Sequence, residues 1–175
     1  MEMNRKQKHG KLPAPPAGWF RVALALLLVA GCVFFIWYNS TLSPAESARQ
    51  SQRVADFLAR LLGGRLGWRR LAAYVQAHAR KIAHAVEFFS LGTAAALMLA
   101  TLRRVTWHTA LHASFLVLCV AVTDEAIQMY TGRGSAVRDI LLDFSGGMAG
   151  MLSVLALRFL LTGAFCEREG GRGKR

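Results

Sequence analysis

Four apolar segments, each about as long as a lipid bilayer is thick, constrain this chain more than any other feature of its sequence. They cover residues 19–38, 81–102, 107–130 and 139–162. A helix of about 20 apolar residues crosses the hydrocarbon core, where the backbone must satisfy its own hydrogen bonds. The sequence therefore predicts an all-α fold, a polytopic membrane helical bundle with four transmembrane helices.

The charge distribution also indicates a membrane protein. Hydrophobic residues make up 54% of the 175 residues, and the formal net charge is +12. The basic residues flank the apolar segments and form no recognisable nucleic-acid-binding module, so we expect membrane lipids and no nucleic acid as partners. The basic residues closest to the spans favour a multi-pass protein of the cell membrane with both termini in the cytoplasm. Three scattered cysteines predict no disulfide framework.

The remaining segments flank or connect the spans of a membrane domain that covers residues 19–162. We expect residues 1–18 to be a disordered basic tail and residues 163–175 to be a charged, flexible tail. Residues 44–62 follow a capping-box spacing and alternate apolar and charged residues at helical periodicity. This pattern predicts an amphipathic helix at the membrane interface, which could also pack on the other helices.

Acidic residues inside or at the rim of the apolar segments are the candidates for a functional site. A carboxylate near hydrocarbon is unfavourable unless it is paired, hydrated or neutralised, and such residues commonly have a functional role. Five of the ten acidic residues have this position: Glu87, Asp124, Glu125, Asp139 and Asp143.

Chain topology predicts that these residues meet. Span two begins with its polar residues, span three ends with them and span four begins with them, so antiparallel helices bring all three sets to one membrane face. Helical spacing places His84 with Glu87, Asp124 with Gln128, and Asp139 with Asp143 on three stripes. The predicted ligand-binding set is Arg80, Lys81, His84, Glu87, Asp124, Glu125, Gln128, Arg133, Asp139 and Asp143.

Several kinds of chemistry are compatible with this set. Arg80, Lys81 and Arg133 are suited to phosphate or carboxylate groups. The candidates for general acid–base catalysis are His84, Glu87, Asp124 and Glu125. No cofactor is expected, although a His with several carboxylates leaves a divalent metal open; the spacing matches no standard metal-ligand signature. A structural polar network that fixes the helix packing is an equal alternative.

Three ordered motifs resemble the VanZ-like family of small integral membrane proteins. They are residues 80–92 (RKIAHAVEFFSLG), 124–133 (DEAIQMYTGR) and 139–150 (DILLDFSGGMAG). The chain departs from the family pattern at Phe88, where tyrosine is frequent, and at Asp143, where many members carry asparagine. The resemblance implies a multi-span membrane protein related to one linked to low-level resistance to the glycopeptide teicoplanin.

Together, the residues and the resemblance lead to a principal hypothesis and two alternatives. The principal hypothesis is a pocket on the extracytoplasmic side that binds an envelope lipid, a lipid-linked cell-wall component or a lipoglycopeptide, with a contribution to teicoplanin-type resistance. The first alternative is an intramembrane enzyme that acts on a lipid headgroup with or without a metal. The second is a structural or partner-binding module. The sequence leaves the oligomeric state open.

Overall fold

The computed structural model describes residues 18–62, 66–102, 105–134 and 136–162. Regular structure in these ranges is entirely helical: α1 Trp19–Thr41, α2 Pro44–Leu62, α3 Leu66–Thr101, α4 Trp107–Tyr130 and α5 Val137–Thr162. All except α2 contain a segment long and apolar enough to cross a membrane. The predicted all-α bundle with four membrane-spanning helices is therefore confirmed. The two predicted flexible tails lie outside the described residues, except for Gly18.

Helix α1 extends three residues beyond the predicted end of the first span. Leu42 then takes an extended conformation and ends the helix two residues before Pro44. Large apolar side chains such as Phe20, Leu27 and Phe34 are exposed along α1. In a bilayer these side chains would face lipid, and the extra three residues carry the polar Asn39 and Ser40 to the end of the span.

Helix α2 begins with the predicted capping box. The Glu46 amide donates to the Ser43 hydroxyl, and the Ser43 amide donates to the Glu46 carboxylate at 3.1 Å. Hydrogen bonds from Ser43 lower the pKa of the Glu46 carboxyl. The helix then packs along α3, so the expected packing on the same chain is confirmed, while its place at the membrane surface stays a prediction.

Helix α3 is longer than the predicted second span. It runs without a break from Leu66 to Thr101, and only Ala77–Thr101 is apolar enough to cross a membrane. A helix of 36 residues is roughly 54 Å long, well beyond the roughly 30 Å of a hydrocarbon core. Residues 66–76 therefore extend the helix past the apolar segment, and α2 packs beside this extension.

The closest helix contact joins α3 to α5 through glycine residues. A Cβ added at Gly92 would overlap the Gly147 carbonyl group, and one at Gly150 would overlap the Phe89 carbonyl oxygen. A Cβ added at Gly146 would lie 2.7 Å from the Ala85 carbonyl oxygen. The absence of side chains at these glycines lets the two helix backbones approach closely, and the contact holds the polar beginning of α5 against α3.

Two apolar clusters fill the rest of the bundle. Ile36, Phe88, Leu91 and Val117 are fully buried where α1, α3 and α4 meet, and a second cluster around Ala95 and Met151 joins α3 to α5. The core thus leaves the polar residues together at one end of the bundle.

Candidate functional site

Three helix ends and the middle of α3 meet at the polar end of the bundle. The last residues of α1 and α4, a middle turn of α3 and the first turns of α5 supply its side chains, and the loop between α4 and α5 adds Arg133. We call this set the polar cluster; its members are Asn39, Ser40, Arg80, His84, Glu87, Asp124, Glu125, Gln128, Arg133 and Asp143. The predicted meeting of three spans at one end is therefore observed.

Asp124 is the centre of the polar cluster. Its side chain is fully buried. One carboxylate oxygen accepts a hydrogen bond from the Ser40 hydroxyl, and the other accepts from Gln128 Nε2 at 2.7 Å. His84 Nδ1 lies 3.8 Å from Asp124 Oδ2. Asp124 thus connects α1, α3 and α4.

Glu87 lies one turn along α3 from His84 and, like Asp124, accepts a hydrogen bond from the end of α1. Glu87 Oε1 accepts a hydrogen bond from Asn39 Nδ2 at 2.8 Å. Its second oxygen, Oε2, lies 3.7 Å from His84 Nδ1, too far for a hydrogen bond. His84 Nδ1 and Glu87 Oε2 are both buried and have no hydrogen-bond partner among the described residues. Two polar atoms are therefore available to a further group.

A Schellman turn at the end of α4 places Arg133. The Arg133 amide donates to the Gln128 carbonyl, the Gly132 amide donates to the Met129 carbonyl, and Gly132 has φ +76°. This left-handed conformation favours glycine and closes many helices. The turn directs the chain back over the helix end, so the Arg133 side chain enters the bundle.

The Arg133 guanidinium is buried with only part of its hydrogen bonding satisfied. Its side chain is 5% exposed, and Nη2 donates to the Asn39 carbonyl oxygen at 3.1 Å. Nε and Nη1 have no partner in the described part of the chain. Burial lowers the pKa of Arg133, and the positive charge of Arg80 lowers it further. A cation in this state is suited to binding an anionic group.

Glu125 has a different position from the other candidate catalytic residues. It is 2% exposed, and its Oε1 accepts a hydrogen bond from the Ala136 amide at 2.8 Å. This contact ties the α4–α5 loop to α4 and fixes the start of α5. Oε2 is buried without a described partner and faces the α5 side of the cluster.

Helix α5 contributes one buried and one peripheral acid. Asp143 is 2% exposed, and one of its oxygens lies within 4.8 Å of ligand atoms of His84 and Asp124. Asp139 is half-buried, and Lys81 on α3 is exposed. Among the described residues, these last two make no side-chain hydrogen bond or ion pair with the polar cluster, whereas Arg80 Nη2 reaches Gln128 Oε1 at 3.4 Å.

Two cavities open on the polar cluster. The first, here called the apolar groove, has a volume of about 350 Å³ and lies between α1, α2 and α3. Phe35, Val54 and Val86 contribute to its walls, and its polar residues include Asn39, His84, Glu87 and Arg133. The second, here called the polar cavity, has about 310 Å³ and lies between α3, α4 and α5, lined by Lys81, Glu125, Gln128, Asp139 and Asp143 among others. Arg80 and His84 line both cavities.

Asn39 and Ser40 are the site residues absent from the sequence prediction. They hydrogen-bond to the two central carboxylates, Glu87 and Asp124. The available signal was topological, because the end of span one lies on the same membrane face as the start of span two. Two polar residues directly after the apolar run therefore had to lie near the predicted acids.

Comparison with known proteins identifies the family. No curated protein and no solved structure gave a match. The family model described as VanZ/LLP1 matches residues 22–159, which include most of each of the four membrane-spanning helices and the whole polar cluster. The matched range contains all three motifs, which lie between residues 80 and 150. This multi-pass membrane protein therefore belongs to the VanZ/LLP1 family.

Proposed function

We propose that this protein binds an amphiphile of the cell envelope, with the lipid chain in the apolar groove and an anionic headgroup against Arg133. Candidate ligands are an envelope lipid, a lipid-linked cell-wall component or a lipoglycopeptide, and binding the last would contribute to teicoplanin-type resistance. The observation that carries the proposal is the buried guanidinium of Arg133, which keeps two donors without described partners where it lines the groove.

The groove supports this proposal by its shape and its chemistry. Its volume of about 350 Å³ lies within the ordinary range for small-molecule sites, which combine apolar walls with a few polar groups. Aromatic and aliphatic residues from three helices form the walls, whereas the polar groups are concentrated where α1 meets α3. An amphiphile has the same division into a long apolar part and a compact polar part.

A purely structural role explains part of the polar cluster. The contacts of Asn39 with Glu87 and of Ser40 with Asp124 attach α1 to α3 and α4. Arg133 does not fit that role, because a buried cation with unmet donors destabilises a fold unless another group completes its hydrogen bonds. A bound anion would supply that group.

Native mass spectrometry of the purified protein tests the proposal. We expect the wild type to retain one anionic amphiphile per chain. Arg133→Gln should reduce its occupancy by removing the charge, and Ala83→Phe should reduce it by filling the groove while the polar residues stay intact. Lys81→Gln is the matched control, since it removes an exposed cation that lines only the polar cavity.

The mass of the retained species identifies its class, and its displacement by added teicoplanin tests the lipoglycopeptide directly. Equal lipid profiles in the wild type and all three variants would refute binding in the groove. Circular dichroism and gel filtration confirm that each variant is folded. Loss of the species in Ala83→Phe is the decisive result, because this variant changes no polar contact.

Chemistry on the bound headgroup is a second candidate function, favoured by the position of His84. This side chain lines both cavities, and its Nδ1 lies 3.7 Å from Glu87 Oε2 and 3.8 Å from Asp124 Oδ2. A histidine between two carboxylates is suited to proton transfer. Turnover of a retained lipid that is lost in His84→Ala, with binding unchanged, would support this function; unchanged turnover in that variant would refute it.

A further inference from the structure

We propose that His84, Asp124 and Asp143 bind one divalent cation of the zinc or manganese class. The three residues come from α3, α4 and α5, and one ligand atom from each lies within 4.8 Å of the others. Two ligands at about 2.1 Å from a tetrahedral zinc ion are roughly 3.4 Å apart. The 3.8 Å between His84 Nδ1 and Asp124 Oδ2 therefore requires only a small contraction around an ion.

The state of Asp143 is independent support for a ligand. Its side chain is 2% exposed, yet it has no hydrogen bond and no ion pair with any other described residue. Buried carboxylates in folded proteins are normally hydrogen-bonded, paired or bound to a metal. An Asp143 oxygen lies within 4.8 Å of a ring nitrogen of His84, and His84 Nδ1 is buried without a hydrogen-bond partner among the described residues. A cation between them would satisfy both.

The charges around the cluster favour a cation. Glu87, Asp124, Glu125 and Asp143 are all buried or nearly so, and none lies within 4.0 Å of a described Lys or Arg nitrogen. The two nearby arginines bond elsewhere, Arg80 to Gln128 and Arg133 to the Asn39 carbonyl. Four carboxylates without a paired basic residue provide the negative charge that attracts a divalent ion.

The surrounding residues meet two further requirements of a metal site. Asp124 is held by Ser40 and Gln128, and metal-binding carboxylates are commonly oriented by such hydrogen bonds. The polar cavity reaches both His84 and Asp143 and gives a hydrated ion a route to the site. One imidazole and two carboxylates suit zinc or manganese better than calcium, which takes oxygen ligands.

Zinc titration of the full chain, purified without a polyhistidine tag and reconstituted in nanodiscs after treatment with a chelator, tests the site. We expect one Zn²⁺ per chain by calorimetry and elemental analysis. Asp143→Asn and His84→Gln should each weaken binding by at least about a hundredfold, because each removes one of three ligands. His78→Ala is the matched control, because it removes an exposed imidazole outside the three ligands, and it should change the affinity less than about threefold.

Thermal stability gives a second readout that separates a lost ligand from a lost fold. Zinc should raise the unfolding temperature of the wild type, because a ligand that binds only the folded state stabilises it. Asp143→Asn should fold without zinc and show no such rise. Weak, non-stoichiometric binding to the wild type, or equal affinity in wild type and His84→Gln, would overturn the proposal. Lipid retention is measured separately, so failure here leaves amphiphile binding untouched.

Discussion

The contact between α3 and α5 makes Gly92→Ala the most severe small substitution that the structure predicts. A Cβ at residue 92 would overlap the carbonyl group of Gly147, which is backbone and cannot move aside by changing rotamer. The two helices would have to separate along their closest contact. Overpacking a buried site costs about 1–3 kcal/mol, and the backbone obstacle places this variant at the upper end, at about 3 kcal/mol.

Alanine substitutions at two other glycines serve as comparisons for the stability loss expected of Gly92→Ala. Gly147→Ala would meet a methyl group of the Val117 side chain instead of backbone, so we expect a smaller loss than at Gly92. Gly31→Ala lies on α1 with open space around its Cβ position. There the higher helix propensity of alanine should leave the unfolding free energy unchanged or raise it by up to about 1 kcal/mol.

The measurement is the unfolding free energy of each purified protein in mixed detergent micelles, followed by far-ultraviolet circular dichroism during titration with dodecyl sulfate. From the most to the least stable variant, the expected order is Gly31→Ala, Gly147→Ala and Gly92→Ala. Equal stability of Gly92→Ala and Gly31→Ala would refute the packing of α3 on α5, and with it the placement of Asp143 beside His84.

Three further predictions concern the ends of helices and are checked by thermal unfolding. Gly132→Ala should lower the unfolding free energy by about 1–2 kcal/mol, because residue 132 has φ +76°. Gly134→Ala is its control and should change the unfolding free energy little, because Gly134 has neither a positive φ nor a close neighbour. Asn39→Ala removes a hydrogen bond to a buried carboxylate on α3 and should cost about 1–3 kcal/mol. The pKa of the Glu46 carboxyl is lowered in the folded chain. The ionised Glu46 side chain therefore stabilises the fold fully above the ordinary carboxyl pKa, and this contribution is lost as the pH falls through the lowered value. Ser43→Ala should weaken this pH dependence of the unfolding temperature.

The sequence predicted the fold class and most of the polar cluster because both follow from one-dimensional patterns. Length and hydropathy locate the spans, and their antiparallel order determines which ends share a membrane face. Residues three and four apart lie on one helix face, so His84 was correctly grouped with Glu87. Lys81 is adjacent to Arg80 and cannot share its direction, which explains why it is exposed while Arg80 reaches Gln128.

The long helix α3 shows where hydropathy is a poor guide to helix ends. Residues 66–76 contain basic and aromatic residues, and the predicted span accordingly began only at residue 81. Polarity ends a membrane crossing, but it does not end a helix, because backbone hydrogen bonds form equally well outside the hydrocarbon. The extension has a consequence for the site, because Val75 lies on it and lines the apolar groove opposite α2.

The side chains that complete the site depend on tertiary structure. Asn39 reaches a carboxylate 48 residues away, and Ser40 reaches one 84 residues away. No local pattern distinguishes such residues from ordinary polar residues at a membrane interface. The same holds for Arg133, which in the sequence is a loop residue beside glycine and in the structure is nearly buried.

The burial of Arg133 in turn connects the two proposals. Its guanidinium donates to α1 and lines the apolar groove, whereas the two carboxylates proposed to bind the metal, Asp124 and Asp143, lie on α4 and α5. The cluster therefore has a cationic side and an anionic side, with His84 between them lining both cavities. An anionic headgroup would neutralise Arg133, and a metal cation would neutralise Asp143 and the carboxylates beside it. If both are bound, zinc should strengthen retention of the anionic amphiphile, and the amphiphile should strengthen zinc binding by the same factor, since coupling between two sites is reciprocal.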